Sequence, residues 1–203
     1  LIAYIEKETG LTRRTIYKIL EGTNNLNLFF LNPQKYAEEV IEIINNYRRE
    51  FEAEDIQYIN LEESYDVGLL RDEVASYKKY VLRVQKSIYD GIIKDSDIEE
   101  AFAKALDKDS RIELFIKLPD WYVIETPAGN YTPDWAIVVK KVQNGVASEK
   151  IYFVVETKGT NDIHELKPEE QIKITSAKKR FEIITGSKFV APVKDFDSFE
   201  EKW

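Results

Sequence analysis

Apolar residues in the first part of the chain recur with a helical period. In LIAYIEKETGLTRRTIYKIL they fall at Ile2, Ile5, Leu11, Ile16, Ile19 and Leu20, interrupted at Gly10, with Thr12 placed to cap a second helix. The pattern predicts helix, tight turn, helix. PQKYAEEVIEIINNYRREF then predicts a Pro-started helix with Tyr36, Val40, Ile43, Ile44 and Tyr47 on one side. From 50 to 73 that period is lost, and the stretch reads as a loop or an edge strand, IQYINL being the example; a polar amphipathic segment follows from about 74 to 89. A change of texture near Asp90-Gly91 divides a helical region, 1–90, from a second domain, 91–203.

Beyond that boundary one more amphipathic helix precedes a run of strands. DSDIEEAFAKALDKD, capped by Asp95 or Ser96, places Ile98, Ala101, Phe102, Ala105 and Leu106 on its apolar side. RIELFIKL, WYVIE, DWAIVVKKV and IYFVVET then read as strands, separated by LPD, PAGN and QNGVASE. The Asn-Gly pair is a hairpin signal, so 134–142 and 150–157 are expected as antiparallel neighbours. PEEQIKITSAKKRFEII predicts a helix started by Pro168, and KFVAPV a closing strand. The order predicts an α/β fold with one main sheet.

Composition narrows the chemistry. The 203 residues contain no Cys and a single His, His164, which excludes a disulfide framework, thiolate zinc, a Cys nucleophile and a His-rich cage. A metal site here must be built from oxygen, which suits Mg²⁺, Mn²⁺ or Ca²⁺. No apolar run approaches the roughly 18 residues of a membrane span and no signal peptide is visible, so a cytoplasmic protein without a membrane partner is expected. A start at Leu1 with no Met reads as a piece of a longer protein. The net charge of −8 sits in one place: from Glu50 to Glu73 there are nine acids and one base, and the rest of the chain is neutral. Basic clusters at Arg13, Arg14 and Lys18, and at Lys173, Lys178, Lys179 and Arg180, are therefore open to phosphate, or are plain solvated helix faces.

IYFVVETKGT places an acid and a base where a buried strand ends. Alternation puts Glu156 and Lys158 on the face of Val154, with Thr157 turned away. Asp134, after Pro133, opens the preceding strand, and in a hairpin the start of one strand lies beside the end of the next. Asp134 and Glu156 are expected neighbours, and two such carboxylates repel unless a cation or a shared proton lies between them. Taken alone, Glu156 and Lys158 read equally as an exposed ion pair.

Pro133-Asp134 followed by Glu156-Thr157-Lys158 resembles the PD-(D/E)xK nuclease superfamily. IEEAFAKALDKDSRIELFIKLPDWYVIETPAGNYTPDWAIVV, IYFVVETKGT and KPEEQIKITSAKKRFE together resemble the C-terminal endonuclease domain of the restriction (Res) subunit of type III restriction enzymes, over roughly residues 95 to 190. The first ninety residues resemble, more weakly, the segment preceding that domain. The resemblance implies a restriction-endonuclease-like core, a mixed sheet flanked by helices, after a helical N-terminal region. It implies hydrolysis of double-stranded DNA with Mg²⁺, for which Mn²⁺ substitutes, leaving 5′-phosphate and 3′-hydroxyl ends, beside a modification (Mod) methyltransferase subunit. Asp134, Glu156 and the main-chain carbonyl of Thr157 would ligate the metal, and Lys158 would position or help to activate the attacking water. A Glu on the first helix of the domain would stand near the metal, Glu99 being the better match and Glu100 its rival, with Gln171 and Lys173 more loosely beside the site. No GxxxxGK[ST] loop and no DEAD-like strand occur, so ATP would enter only through a separate motor domain.

A different class of function stays open beside this one. TGLTRRTIYKIL also resembles a helix-turn-helix with Arg13, Arg14, Tyr17 and Lys18 outward, although two packed structural helices explain the same spacing. In that case the chain would be a non-catalytic DNA-binding or subunit-docking module with the sheet as scaffold.

Overall fold

The structure, a computed structural model, describes residues 1–23, 26–58, 81–89, 91–143, 146–183 and 186–203. It divides into two units, Leu1–Asp55 and Ile56–Trp203. The first holds α1 (Ile2–Thr9), α2 (Arg13–Glu21), α3 (Leu26–Leu31) and α4 (Pro33–Asp55). Gly10 ends α1 at φ 69°, a left-handed value a glycine adopts without strain, and its N–H bonds the Glu6 carbonyl. The Thr12 hydroxyl then accepts the Thr15 N–H at 3.3 Å and starts α2.

Ile5, Ile16, Leu20, Tyr36 and Ala37 form the core of this unit, with Val40, Ile41 and Ile44 packed against it. Ile19, Ile43 and Tyr47, expected on the apolar side, are exposed. The buried stripe of α4 is rotated toward Ala37 and Ile41. In addition, its 23 residues, about 35 Å long, outrun the eight-residue α1, about 12 Å long. The short α3 was not visible in the apolar pattern.

The second unit begins, among the described residues, with β1 (Val81–Arg83) paired antiparallel to β2 (Gly91–Ile93). This pairing crosses the position near Asp90-Gly91 where the texture of the sequence changes; Asp90 itself, most of the acidic stretch and the Asn144-Gly145 turn lie outside the described residues. Next come α5 (Asp97–Lys108), β3 (Ile112–Lys117), β4 (Trp135–Gln143), β5 (Val146–Thr157), α6 (Pro168–Ile183), β6 (Ser187–Val193) and α7 (Phe196–Glu200). Ser96, one of the two expected caps, accepts the Glu99 N–H at 3.2 Å, and Asp97, Glu99 and Glu100 occupy the first turn of α5.

The main sheet runs β3-β4-β5-β6. β3, β4 and β5 are antiparallel neighbours and β6 is parallel to β5, a mixed sheet flanked by helices as expected. Alternation gives it two apolar faces. Trp135, Ile137, Val139, Phe153 and Val155 pack with Phe102 and Leu106 of α5 and Phe199 of α7. Val154 and Ala136 turn the other way, toward Ala177 and Phe181 of α6.

Two strand expectations are corrected. Trp121–Glu125 is not a strand; Ile124 makes a single bridge to Tyr131, because the Pro119 and Thr126 turns close on either side of this five-residue run. β5 starts at Val146, so VASE, expected in the loop, belongs to the strand. Among the described residues no helix is long and apolar enough to cross a membrane.

Candidate active site

β4 and β5 meet at their open end in a register that pairs Trp135 with Val155, so the next step sets Asp134 across from Glu156. The carboxylates are pinned by the opposite strand. The Asp134 N–H donates to Glu156 Oε2 at 3.1 Å, and the Thr157 N–H and hydroxyl donate to Asp134 Oδ2 at 2.8 and 2.5 Å. Trp135, buried in the core, donates its indole N–H to Thr157 Oγ1 at 3.3 Å and ties this stitch to the packed interior. Tyr131 donates its hydroxyl to Glu156 Oε2 at 3.0 Å.

Glu156 is 3% exposed. Burial and then the charge of Asp134 push its carboxyl up to about 7, against the pull of Lys158 and the Tyr131 hydrogen bond. Burial also raises Asp134, with the Thr157 hydrogen bonds opposing. Both acids thus resist ionisation side by side, the condition a hard cation relieves.

Lys158 Nζ bridges Glu156 Oε1 at 3.0 Å and Glu170 Oε1 at 2.9 Å. Burial acts to lower it, but the two carboxylates reverse that and hold it raised, an ammonium at neutral pH; the same contact holds Glu170 below its ordinary value. The Lys158 N–H bonds the Val193 carbonyl of β6 at 2.9 Å, and Gly159 turns the chain away at φ 69°. Tyr131, Asp134, Glu156, Lys158, Glu170 and Lys173 line one cleft of about 300 Å³.

From α5, Glu99 stands close enough for its charge to raise Asp134. Its carboxylate is held by Lys117 Nζ at 2.5 Å and by the Asp95 N–H at 3.0 Å. Glu100 is bound instead by Lys104 and Lys94, which draw its carboxyl down to about 2. Of the two rivals, the fold therefore sets Glu99 nearer to Asp134. Among the described residues no three His, Cys, Asp or Glu side chains gather as a metal cluster; Asp134 and Glu156 are two acids lining one cleft.

Residues 85–196, more than half of the chain, match the family model described as Endonuclease domain. The chain belongs to the Endonuclease domain family. No curated protein and no solved structure matches it. The endonuclease domain has the restriction-endonuclease-like fold, with Asp134, Glu156 and Lys158 at one end of its sheet, and the family makes it a nuclease.

The remaining residues of interest in the endonuclease domain separate by position. Lys173 lines the cleft, whereas Gln171 turns its amide to the Leu166 carbonyl at 2.8 Å. Lys178, Lys179 and Arg180 lie about two turns further along α6, with Arg180 over the Tyr58 ring at 5.8 Å. Arg13, Arg14 and Lys18 are exposed on α2 in the other unit, Arg13 paired with Glu6 at 2.8 Å.

Sequence reasoning missed Tyr131, Lys117 and Glu170. Tyr131 stands two residues before Pro133, outside every expected strand. Glu170 shares the first turn of α6 with Glu169, and nothing in the local sequence separates the two.

Proposed function

We propose that this chain is the Mg²⁺-dependent endonuclease part of a type III restriction enzyme Res subunit, hydrolysing phosphodiester bonds of double-stranded DNA in the cytoplasm. The observation that carries the reading is the pair of a half-buried Asp134 and a buried Glu156, both acids raised, beside the Lys158 ammonium. The donors fit a hard cation: two carboxylates, with the Thr157 carbonyl as third ligand, and no sulfur or imidazole. Mg²⁺, or Mn²⁺ in its place, would polarise a phosphoryl oxygen and lower the pKa of bound water.

The protein's own groups do the rest. Tyr131 and the Asp134 N–H fix the Glu156 carboxylate, and Thr157 fixes Asp134. Lys158, being protonated, acts by charge: it stands where negative charge develops on the phosphate and orients the attacking water rather than taking its proton. Glu99 adds negative charge behind Asp134. Lys173 faces the cleft where a backbone phosphate would lie, and Lys178, Lys179 and Arg180 extend that contact along the helix. ATP would act through a motor domain and sequence recognition through a Mod subunit.

The test is cleavage of supercoiled plasmid by this chain, alone and with motor and Mod subunits, in Mg²⁺, Mn²⁺ or EDTA. Metal-dependent nicking that Asp134→Ala and Lys158→Ala abolish, with circular dichroism unchanged, supports the reading. Cleavage indifferent to both substitutions overturns it.

The exposure of Arg14, Tyr17 and Lys18 on the Thr12-capped α2 favours a further DNA contact there. Arg14→Ala with Lys18→Ala should weaken duplex binding and flatten its salt dependence, read by fluorescence anisotropy.

A further inference from the structure

The Lys158 ammonium has two anionic partners, and they differ in kind. Glu156 lies across from Asp134 in the acid pair, so it would be a ligand of any cation bound there. Glu170 reaches Lys158 from the first turn of α6, with its side chain 34% exposed, across the cleft from the pair. A divalent cation on Asp134 and Glu156 would neutralise the partner of Lys158 at 3.0 Å and repel the ammonium. Only an anion outside the ligand pair can then keep Lys158 in place.

We propose that Glu170 is a positioning residue that holds Lys158 beside the reacting phosphate when a divalent cation occupies Asp134 and Glu156, a role that rests on the metal reading above. Glu170 would keep the ammonium when Glu156 holds the cation, so the two cations would share three carboxylates instead of competing for one. Removing the Glu170 charge returns Lys158 to Glu156 and sets it against the metal. A helix-dipole role would give a different outcome, because Glu169 in the same turn serves the dipole equally without lining the cleft.

The test is a double-mutant cycle on the full chain, read by calorimetric titration with Mn²⁺ and no DNA. Glu170→Gln should weaken Mn²⁺ binding about tenfold, and in a Lys158→Ala background the same substitution should change it less than about twofold. Glu169→Gln should leave affinity unchanged, and Glu170→Asp should recover part of the loss. Equal factors in the two backgrounds, or an equal effect at Glu169, overturn the role of Glu170 and leave the metal site standing. Absence of Mn²⁺ binding by the unsubstituted chain overturns the metal reading and this proposal together.

Discussion

Two lysines at the same end of the sheet hold carboxylates in different ways. Lys117 on β3 sits among Asp95 and Glu99, each at 2.5 Å, and the Ile93 carbonyl at 3.2 Å. Burial acts to lower it, and Asp95 and Glu99 more than compensate, so that it is held raised. Lys158 holds a carboxylate that is already opposed by another, so Glu156 stays raised despite the contact. Identical pair chemistry thus occurs in two settings, and the proposed site is the one in which the paired acid lies directly across from a second carboxylate. The ion pair alone does not distinguish the two; the unrelieved neighbour does.

The largest test of that contrast is catalytic. Asp134→Ala or Lys158→Ala should lower metal-dependent plasmid cleavage about a thousandfold or more, while Lys117→Ala should cost far less. Equal losses at the two lysines would break the comparison.

Next comes the pH dependence of stability without metal. Glu156 has an ordinary value of 4.5 and is raised to about 7 in the fold, so the folded chain keeps a proton that the unfolded chain has released. Its contribution is complete below about pH 4.5 and is lost as pH rises through about 7, a swing on the order of 3 kcal/mol. Urea unfolding in EDTA at pH 5 and pH 8 should show this loss, and Glu156→Gln should abolish it and stabilise the chain at pH 8.

At the other lysine the sign reverses. Glu99→Gln should destabilise the metal-free chain by about 1–2 kcal/mol at pH 8, since Lys117 loses a charged acceptor at 2.5 Å. The smallest effect is expected of Tyr131→Phe, about 1 kcal/mol or less. It removes a hydrogen bond that lowers Glu156, so the midpoint of the pH transition should move upward.

What was legible in the sequence follows from range. Asp134 and Glu156 could be placed together because one hairpin joins them, and alternation along β5 fixed the face of Glu156 and Lys158. Ser96 was a readable cap, and Pro168 marked the start of α6. The carboxylate of Glu170 and the ammonium of Lys117 reach their partners only through packing of separate elements, to which local periodicity is blind. Glu99 was the better match over Glu100 by resemblance, whereas in the fold their different lysine partners separate them. WYVIE misled because its side chains suit a strand, whereas one bridge at Ile124 is all the pairing it finds.

The hairpin register has a consequence for tolerance of change in length. Seven consecutive pairs, from Trp135 with Val155 to Lys141 with Glu149, separate the carboxylates from the irregularity after Lys141. A slip of one residue would send Asp134 or Glu156 to the opposite face, so those seven pairs act as a ruler for the site. Insertions between Gln143 and Val146 fall beyond the ruler and leave it unread. The closed end of the hairpin can therefore accept a longer loop, or a grafted peptide, with the distance between the two acids unchanged.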